Sequence, residues 1–170
     1  LDAAEGGGVA PHFLAADSVL KFPGDAVLEV LHMPTENGAR ILADNRVVVT
    51  RLQWEGWRIL FHQDAGQNAE EEMIIRGNDL TADVIVVGKH QREISLSEAF
   101  LDAVRPEVII ASNPPHPREK RRDESQLAYW RGHGIAVFDQ SETGGVTLRV
   151  NQSGEMEITG YVNQERVVLK

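Results

Sequence analysis

Two continuous apolar runs, "ADVIVVG" at 82–88 and "EVIIAS" at 107–112, constrain the fold of this chain more than any other feature. Strands that are covered on both faces are apolar throughout and rich in β-branched residues, so both runs predict buried strands. The segment between them, 95–104, is a predicted helix, in which Ser95 and Glu98 form a capping box. Its apolar side chains share one face and are Leu96, Phe100, Leu101 and Val104. A strand, a helix and a strand in this order predict a parallel βαβ unit.

The segments on either side of this unit predict a mixed sheet. Upstream, the patterns predict strands at 26–33, 46–52 and 57–62, the last two as a hairpin, and then an acidic helix at 68–77. Downstream, the patterns predict a proline-rich break at 113–117, a polar helix at 118–134, a strand at 135–140 and a closing hairpin around "NQSG". The resulting prediction is one α/β domain over 26–170 that follows an irregular lead-in over 1–25.

Charge and composition exclude several classes of function. The chain has 170 residues, a formal net charge of −9 and no cysteine. A field of this sign repels phosphate backbones and anionic lipids, so a contact with nucleic acid would need a local basic patch. Without cysteine, a bound metal would need His and carboxylate ligands. No apolar stretch reaches the roughly 20 residues of a membrane span. A start at Leu1 instead of Met is typical of a processed product or of a piece of a longer protein.

The segment "RILFHQDAG" at 58–66 holds the first candidate site. A predicted strand ends there in His62 and Asp64, and side chains two apart on a strand point to the same side. The pair therefore suits half of a metal site as well as the end of an ordinary buried strand. A lone strand histidine is more often buried and hydrogen-bonded, which is our prediction for His62. For Asp64 we favour a cap on the following helix over a metal ligand.

The run "REKRR" at 118–122 is the only basic cluster in the sequence. The candidate contacts for a phosphate are Lys89, Arg118, Lys120, Arg121 and Arg122. The interpretation that we favour for the run is a solvated helix face, balanced by Asp123 and Glu124. A cationic first turn opposes the helix dipole, which is the argument for a partner at this point.

Six stretches of the sequence, taken in order, resemble the hydrolase-like domain of the ComEC family of bacterial competence proteins, which has a metallo-β-lactamase fold. They are "LEVLHMP" (28–34), "ADNRVVVTRLQWEGWRILFHQDAG" (43–66), "ADVIVVGKHQREIS" (82–95), "FLDAVRPEVIIAS" (100–112), "PHP" (115–117) and "GIAVFDQSETGGVTLRV" (134–150). The resemblance implies the C-terminal half of an αββα sandwich. It also implies that Asp64 and His90 correspond to metal ligands, that the metal is zinc or manganese, and that active relatives are phosphodiesterases or nucleases of DNA uptake.

The departures from this family pattern remove metal ligands and their neighbours. The family's His-x-His-x-Asp-His segment is absent, and Gln63, Lys89, Gln91 and Arg92 stand where the family has Gly, His, Gly and Ser. A hydrolytic site needs three or more protein ligands per metal and an open position for water. We therefore expect that this chain alone holds no catalytic metal and that the domain is a structural or interaction module. The Lys89 ammonium would either repel a divalent cation or itself occupy the vacated position and neutralise Asp64.

Two other functions stay open. If a His-x-His-x-Asp-His segment lies upstream or on another chain, this chain is the second half of an active hydrolase, with Asp64 bridging two metals and His90 completing one of them. Alternatively, it is a homo-oligomerisation domain. A half sandwich exposes a large apolar sheet face, so we expect a missing N-terminal half, another chain, a second copy or residues 1–25 to cover it. The localisation stays open: the sequence predicts a bacterial domain in solution, either alone or as part of a membrane-anchored parent protein.

Overall fold

The computed structural model describes residues 13–34, 46–89, 95–114, 116–117 and 121–170. Within these ranges the strands are β1 (Val19–Lys21), β2 (Val27–His32), β3 (Val49–Trp54), β4 (Trp57–Gln63), β5 (Val84–Val87), β6 (Val108–Ala111), β7 (Ala136–Asp139), β8 (Val146–Val150), β9 (Met156–Gly160) and β10 (Arg166–Leu169). The helices are α1 (Gln67–Arg76), α2 (Glu98–Val104), α3 (Glu124–Gly132) and α4 (Gln140–Thr143). None of the helices in this part of the chain is long and apolar enough to cross a membrane.

Strands β1 to β7 form one mixed sheet, in which they lie side by side in chain order. The pairs from β1 to β4 are antiparallel, and those from β4 to β7 are parallel. Glu55 and Gly56 join β3 to β4 with φ angles of 52° and 85°, the left-handed geometry that tight two-residue hairpins favour. Parallel neighbours need a crossover connection, and α1, α2 and α3 lie in those connections. The predicted hairpin, the predicted parallel unit and the mixed α/β class are confirmed.

The three longer helices cover one face of this sheet. Phe100 of α2 and Trp130 of α3 are fully buried there, together with Met73 of α1. They share one apolar cluster with strand residues such as Leu60 and Ile85. Burial of this amphipathic helical face, and not intrinsic helix propensity, stabilises helices as short as these.

Strands β8, β9 and β10 form a separate antiparallel sheet on the other face. Met156 and Ile158 lie two positions apart on β9, and both are fully buried in one cluster with Val108 and Phe138 of the large sheet. The Trp57 indole donates a hydrogen bond of 2.9 Å to the carbonyl of Gly154 and so ties the β8–β9 turn to β4. The sequence pattern predicts only a hairpin in this region, and β10 is a third strand. These C-terminal strands cover the apolar face behind the parallel strands, a cover that the sequence analysis does not predict.

Three local predictions are wrong. Strand β1 lies in the lead-in that is predicted to be irregular, and it pairs with β2. Ser97, not Ser95, caps α2, because its hydroxyl accepts from the Phe100 amide, while Ser95 donates to the Ala65 carbonyl. The third is the helix predicted at 118–134, which begins only at Glu124 as α3, with Asp123 as its N-cap. Its first turn is therefore acidic, in agreement with the helix dipole, and the basic run precedes it.

Candidate functional site

The carboxyl ends of the parallel strands β4 to β7 meet at one edge of the large sheet, where open α/β sheets hold their ligands. Asp64 follows β4, Lys89 follows β5, Asn113 follows β6 and Asp139 ends β7. Arg122, from the segment before α3, reaches the same edge. We call these five residues the corner cluster.

Arg122 is the most buried cation of the corner cluster, with 6% of its surface exposed. Its guanidinium donates through Nη2 to the Gly88 carbonyl and through Nη1 to Gln126 Oε1 at 2.7 Å. It also lies over the Trp130 ring, 5.0 Å from the ring centroid. The prediction that the basic run is a solvated face is therefore wrong for Arg122, and its guanidinium is too buried to be the surface contact for a phosphate that the sequence suggests.

The charge of Arg122 acts on two carboxylates. Burial lowers the pKa of Arg122 to about 10, while Asp139 and Asp64 oppose this effect because they favour the charged form. At neutral pH the guanidinium is still charged. The corner cluster thus contains a cation of the protein itself near two carboxylates. These are Asp64, which follows β4, and Asp139, which ends β7.

Asn113 and Asp139 link Arg122 to the ends of β6 and β7. Asn113 donates through Nδ2 to Asp139 Oδ2 at 3.1 Å, and its Oδ1 accepts from the Arg122 backbone N–H at 2.8 Å. The other oxygen of Asp139 accepts from the Ser141 amide at 2.9 Å and caps α4. Both oxygens of Asp139 therefore accept hydrogen bonds from the protein itself.

Asp64 lies exposed in the turn after β4 and does not cap the next helix. The N-cap of α1 is Gly66, without a side-chain hydrogen bond, so the predicted cap is wrong. The Asp64 carboxylate instead lies against Gly88, where a Cβ atom would overlap it. The Gly88 amide donates to the Gln63 carbonyl at 2.6 Å. Glycine at position 88 therefore allows the ends of β4 and β5 to approach this closely.

The remaining predicted site residues are placed as follows. Lys89 donates from Nζ to the Arg121 carbonyl at 2.5 Å and thus joins the end of β5 to the segment before α3. The structure adds Arg122 as a cation that interacts with Asp64, a role for which the sequence analysis proposes Lys89. His90, Arg118 and Lys120 lie outside the described residues, and their roles stay predictions.

His62 and Glu70 form a second, fully buried polar cluster beneath the helices. His62 Nε2 donates to Glu70 Oε1 at 2.9 Å. The carboxylate also accepts from the Leu96 amide at 2.6 Å and from the Ser97 amide at 2.9 Å. The prediction that His62 is a buried, hydrogen-bonded group is confirmed. Sequence reasoning misses its partner Glu70.

The His62–Glu70 pair holds the segment that enters α2. Burial raises the pKa of Glu70, but hydrogen bonds from His62 and Ser97 outweigh it and lower the pKa overall. The ionised carboxylate binds two successive backbone amides at Leu96 and Ser97. Leu96 has a left-handed φ of 60°, which is uncommon for a branched residue. We infer that Glu70 stabilises this unfavourable backbone geometry.

His32, at the end of β2, is a buried histidine whose pKa differs from the usual value. Its Nδ1 has no hydrogen-bond partner within the described ranges, and Glu72 Oε2 lies 3.6 Å away. Burial lowers the pKa of His32 below 6.5; Glu72 opposes this effect, while Arg76 and His62 lower the pKa further. His32 therefore takes up a proton at a lower pH in the folded protein than in the unfolded chain.

The free energy of unfolding should fall as the pH is lowered from about 6.5 toward the folded-state pKa of His32, since the unfolded chain then binds a proton that the folded chain does not. Urea unfolding at about pH 7.5 and about pH 5.5 measures the difference. His32→Gln should make this difference smaller, and the exposed His116→Gln should leave it unchanged. Equal pH dependence in the wild type and in His32→Gln would show that another group is responsible.

The described residues do not fit a hydrolytic metal centre. In that part of the chain no three His, Asp or Glu side chains are placed to hold one ion. At the corner cluster, Asp139 already accepts from Asn113 and Ser141, and the Arg122 guanidinium would repel a divalent cation. The assignment of Asp64 and His90 as ligands stays a prediction.

Comparison with known proteins finds a similarity to a competence protein. No family model matches the sequence. The chain is 29% identical over 107 residues to "Competence protein ComA" of Neisseria gonorrhoeae, and the match covers 62% of this chain and 16% of that protein. This chain is similar to a competence protein. It spans less than a fifth of the length of that relative, so the activity of the whole relative is only a proposal for this chain.

Proposed function

We propose that this chain is a metallo-β-lactamase-like domain of a competence-related protein and that it acts in DNA uptake as a structural or interaction module without a catalytic metal. The similarity to Competence protein ComA supports the relationship. The order of the six sequence stretches between 28 and 150 supports the family. A mixed sheet with helices on one face and a smaller sheet on the other agrees with part of an αββα sandwich.

The observation that carries the non-catalytic part of this proposal is the Arg122 guanidinium. Carboxylates at the carboxyl ends of parallel strands create a negative potential that a divalent metal could use. In this chain Arg122 interacts with those carboxylates, Asp139 and Asp64, and donates to the Gly88 carbonyl between their strands. A divalent ion beside a buried guanidinium would be repelled strongly, because screening by water is weak there.

Metal analysis of the purified chain tests this proposal. After loading with zinc or manganese and dialysis into metal-free buffer, we expect far less than one equivalent of either metal and no hydrolysis of bis-p-nitrophenyl phosphate. Asp64→Ala should leave both results unchanged, because Asp64 holds no metal under this proposal. Stoichiometric metal, together with hydrolysis that Asp64→Ala abolishes, would overturn it.

A second function is favoured by the placement of Asp64. Its carboxylate is exposed at the strand end and lies against Gly88, two residues before His90. A His-x-His-x-Asp-His segment from outside this chain could complete a phosphodiesterase site with Asp64 and His90, provided that Arg122 moves away. A longer polypeptide from a membrane-anchored parent distinguishes the two functions. Metal-dependent hydrolysis by that polypeptide, but not by this chain, would favour the second.

A further inference from the structure

A groove of about 420 Å³ lies between the segment that enters α2 and the first turns of α3. This volume is in the range of ordinary ligand pockets. The apolar part of its lining is formed by Leu96, Tyr129 and Trp130. Leu96 and Trp130 are buried, whereas Tyr129 is 40% exposed and packs on His133 with ring centroids 4.2 Å apart. The groove therefore presents an aromatic surface to solvent.

Two exposed carboxylates, Glu98 and Asp123, also line the groove. Asp123 is ionised at neutral pH, and hydrogen bonds from Ser125 lower its pKa further below the usual value. The nearby Lys89 ammonium interacts with Asp123 and donates to the Arg121 carbonyl. In the described part of the lining both charged side chains are carboxylates, while Lys89 and the Arg122 guanidinium, which packs on Trp130 and donates to Gln126, lie next to the lining. The surface that a ligand would touch is therefore acidic.

The helix starts beside this groove do not offer an anion site. Helix N-termini bind anions through free amides. Here each helix start carries a carboxylate, Glu98 in the first turn of α2 and Asp123 as the N-cap of α3, where Asp123 accepts from the Ser125 amide at 3.0 Å. These negative charges would repel an anion. A matching ligand must therefore combine an apolar group with positive charge.

We propose that this groove docks a segment of a partner protein in which an apolar side chain is flanked by lysine or arginine. The proposal rests on the interaction-module function and gives the chemistry of the partner. The apolar side chain packs on Tyr129, and the flanking cations pair with Glu98 and Asp123 or stack on the Tyr129 ring. A second copy of this chain and a nucleic acid fit less well, since both would bring further negative charge to the groove.

Nuclear magnetic resonance of the full chain, labelled with nitrogen-15, tests the docking. The probes are two acetylated and amidated peptides, Lys-Leu-Phe-Lys and Glu-Leu-Phe-Glu. We expect the lysine peptide to shift the amides of Ser97, Glu98 and Gln126 in a saturable way, and the glutamate peptide to shift none of them. The amides of Thr147 and Arg149, whose side chains are exposed on β8, should not move with either peptide.

Charge-removing variants separate the groove from the general charge of the chain. Glu98→Gln removes one carboxylate, and Asp123→Ser removes the other while it keeps an oxygen that caps α3. Each should weaken binding of the lysine peptide about 2- to 5-fold, the effect of one exposed ion pair. The matched control is Glu71→Gln, which removes an exposed carboxylate of α1 and should leave the dissociation constant unchanged.

Three results would overturn the docking proposal. One is an equal response to the glutamate peptide. Another is a set of shifts spread over the whole surface and unaffected by Glu98→Gln and Asp123→Ser. The third is a shift of the groove amides on raising the protein concentration alone, which would identify a second copy as the occupant. None of these readouts depends on metal content or hydrolysis, so a failure here is distinct from a failure of the non-catalytic proposal.

Discussion

Replacing Glu70 by alanine should lower the free energy of unfolding by about 3 to 5 kcal/mol, the range for removing one partner of a buried charged pair. The carboxylate accepts from His62 and from the backbone amides of Leu96 and Ser97. Alanine leaves these donors buried without an acceptor and creates a cavity between α1 and the segment that enters α2. Urea unfolding followed by circular dichroism measures the loss.

The adjacent Glu71→Ala is the matched control, because Glu71 is exposed on the same helix and its loss should change stability by less than about 0.5 kcal/mol. Glu70→Gln separates charge from shape. The lowered pKa of Glu70 means that the wild type loses stability as the pH falls from 4.5 through the folded-state pKa, and Glu70→Gln should lack this part of the acid dependence. Equal losses for Glu70→Ala and Glu71→Ala would refute the buried network.

The central strands could be predicted because their sequences allow few other structures. Residues 84–87 and 108–111 are apolar at every position and mostly β-branched, as expected of strands covered on both faces. The outer strands could not be predicted in the same way. β1 has 3 residues and β10 has 4, too few to show a reliable alternation of apolar and polar positions.

One member of the buried His62–Glu70 cluster could have been recognised from the sequence. Glu70 follows Ala69 and lies three residues before Met73, so it shares the buried face of α1. A carboxylate on an apolar helix face needs a partner, and this spacing could have singled it out. Its partner amides, however, are 26 and 27 residues further along the chain. Only the packing of α1 beside α2 brings them together.

The position of Arg122 before the helix could also have been predicted from the sequence. "DES" at 123–125 is a typical helix start, with an aspartate cap and an acidic first turn, and it places Arg122 before the helix. Composition alone groups Arg122 with the other cations of the run 118–122. The cation that points toward the strand ends is selected by its two acceptors, the Gly88 carbonyl and Gln126. Gly88 follows β5 and Gln126 lies in α3, so the run itself does not show which cation they bind.

Replacing Arg122 by methionine should lower the free energy of unfolding by about 2 to 3 kcal/mol, because the hydrogen bonds of a charged donor and the cation–π contact are lost. Methionine keeps apolar contact with Trp130 but donates nothing to the Gly88 carbonyl or to Gln126. It also leaves the negative charges of Asp139 and Asp64 without the guanidinium. Urea unfolding measures the loss, with Arg131→Met, an exposed arginine of α3, as the control.

The sign of the change in stability caused by Arg122→Met depends on two costs. One is the cost of burying the guanidinium, and the other is the cost of leaving Asp139 without it. Burial disfavours the charged guanidinium, as its lowered pKa shows, and exchanging a whole buried charge cluster for apolar groups is often neutral. Arg122→Met removes only the cation and leaves Asp139 behind, so destabilisation should win. A double-mutant cycle with Asp139→Asn tests this, because Asp139→Asn should cost less in the Arg122→Met background. An Arg122→Met protein as stable as the wild type, with no coupling to Asp139, would show that the guanidinium does not neutralise this corner and would remove the main support for a domain without a metal.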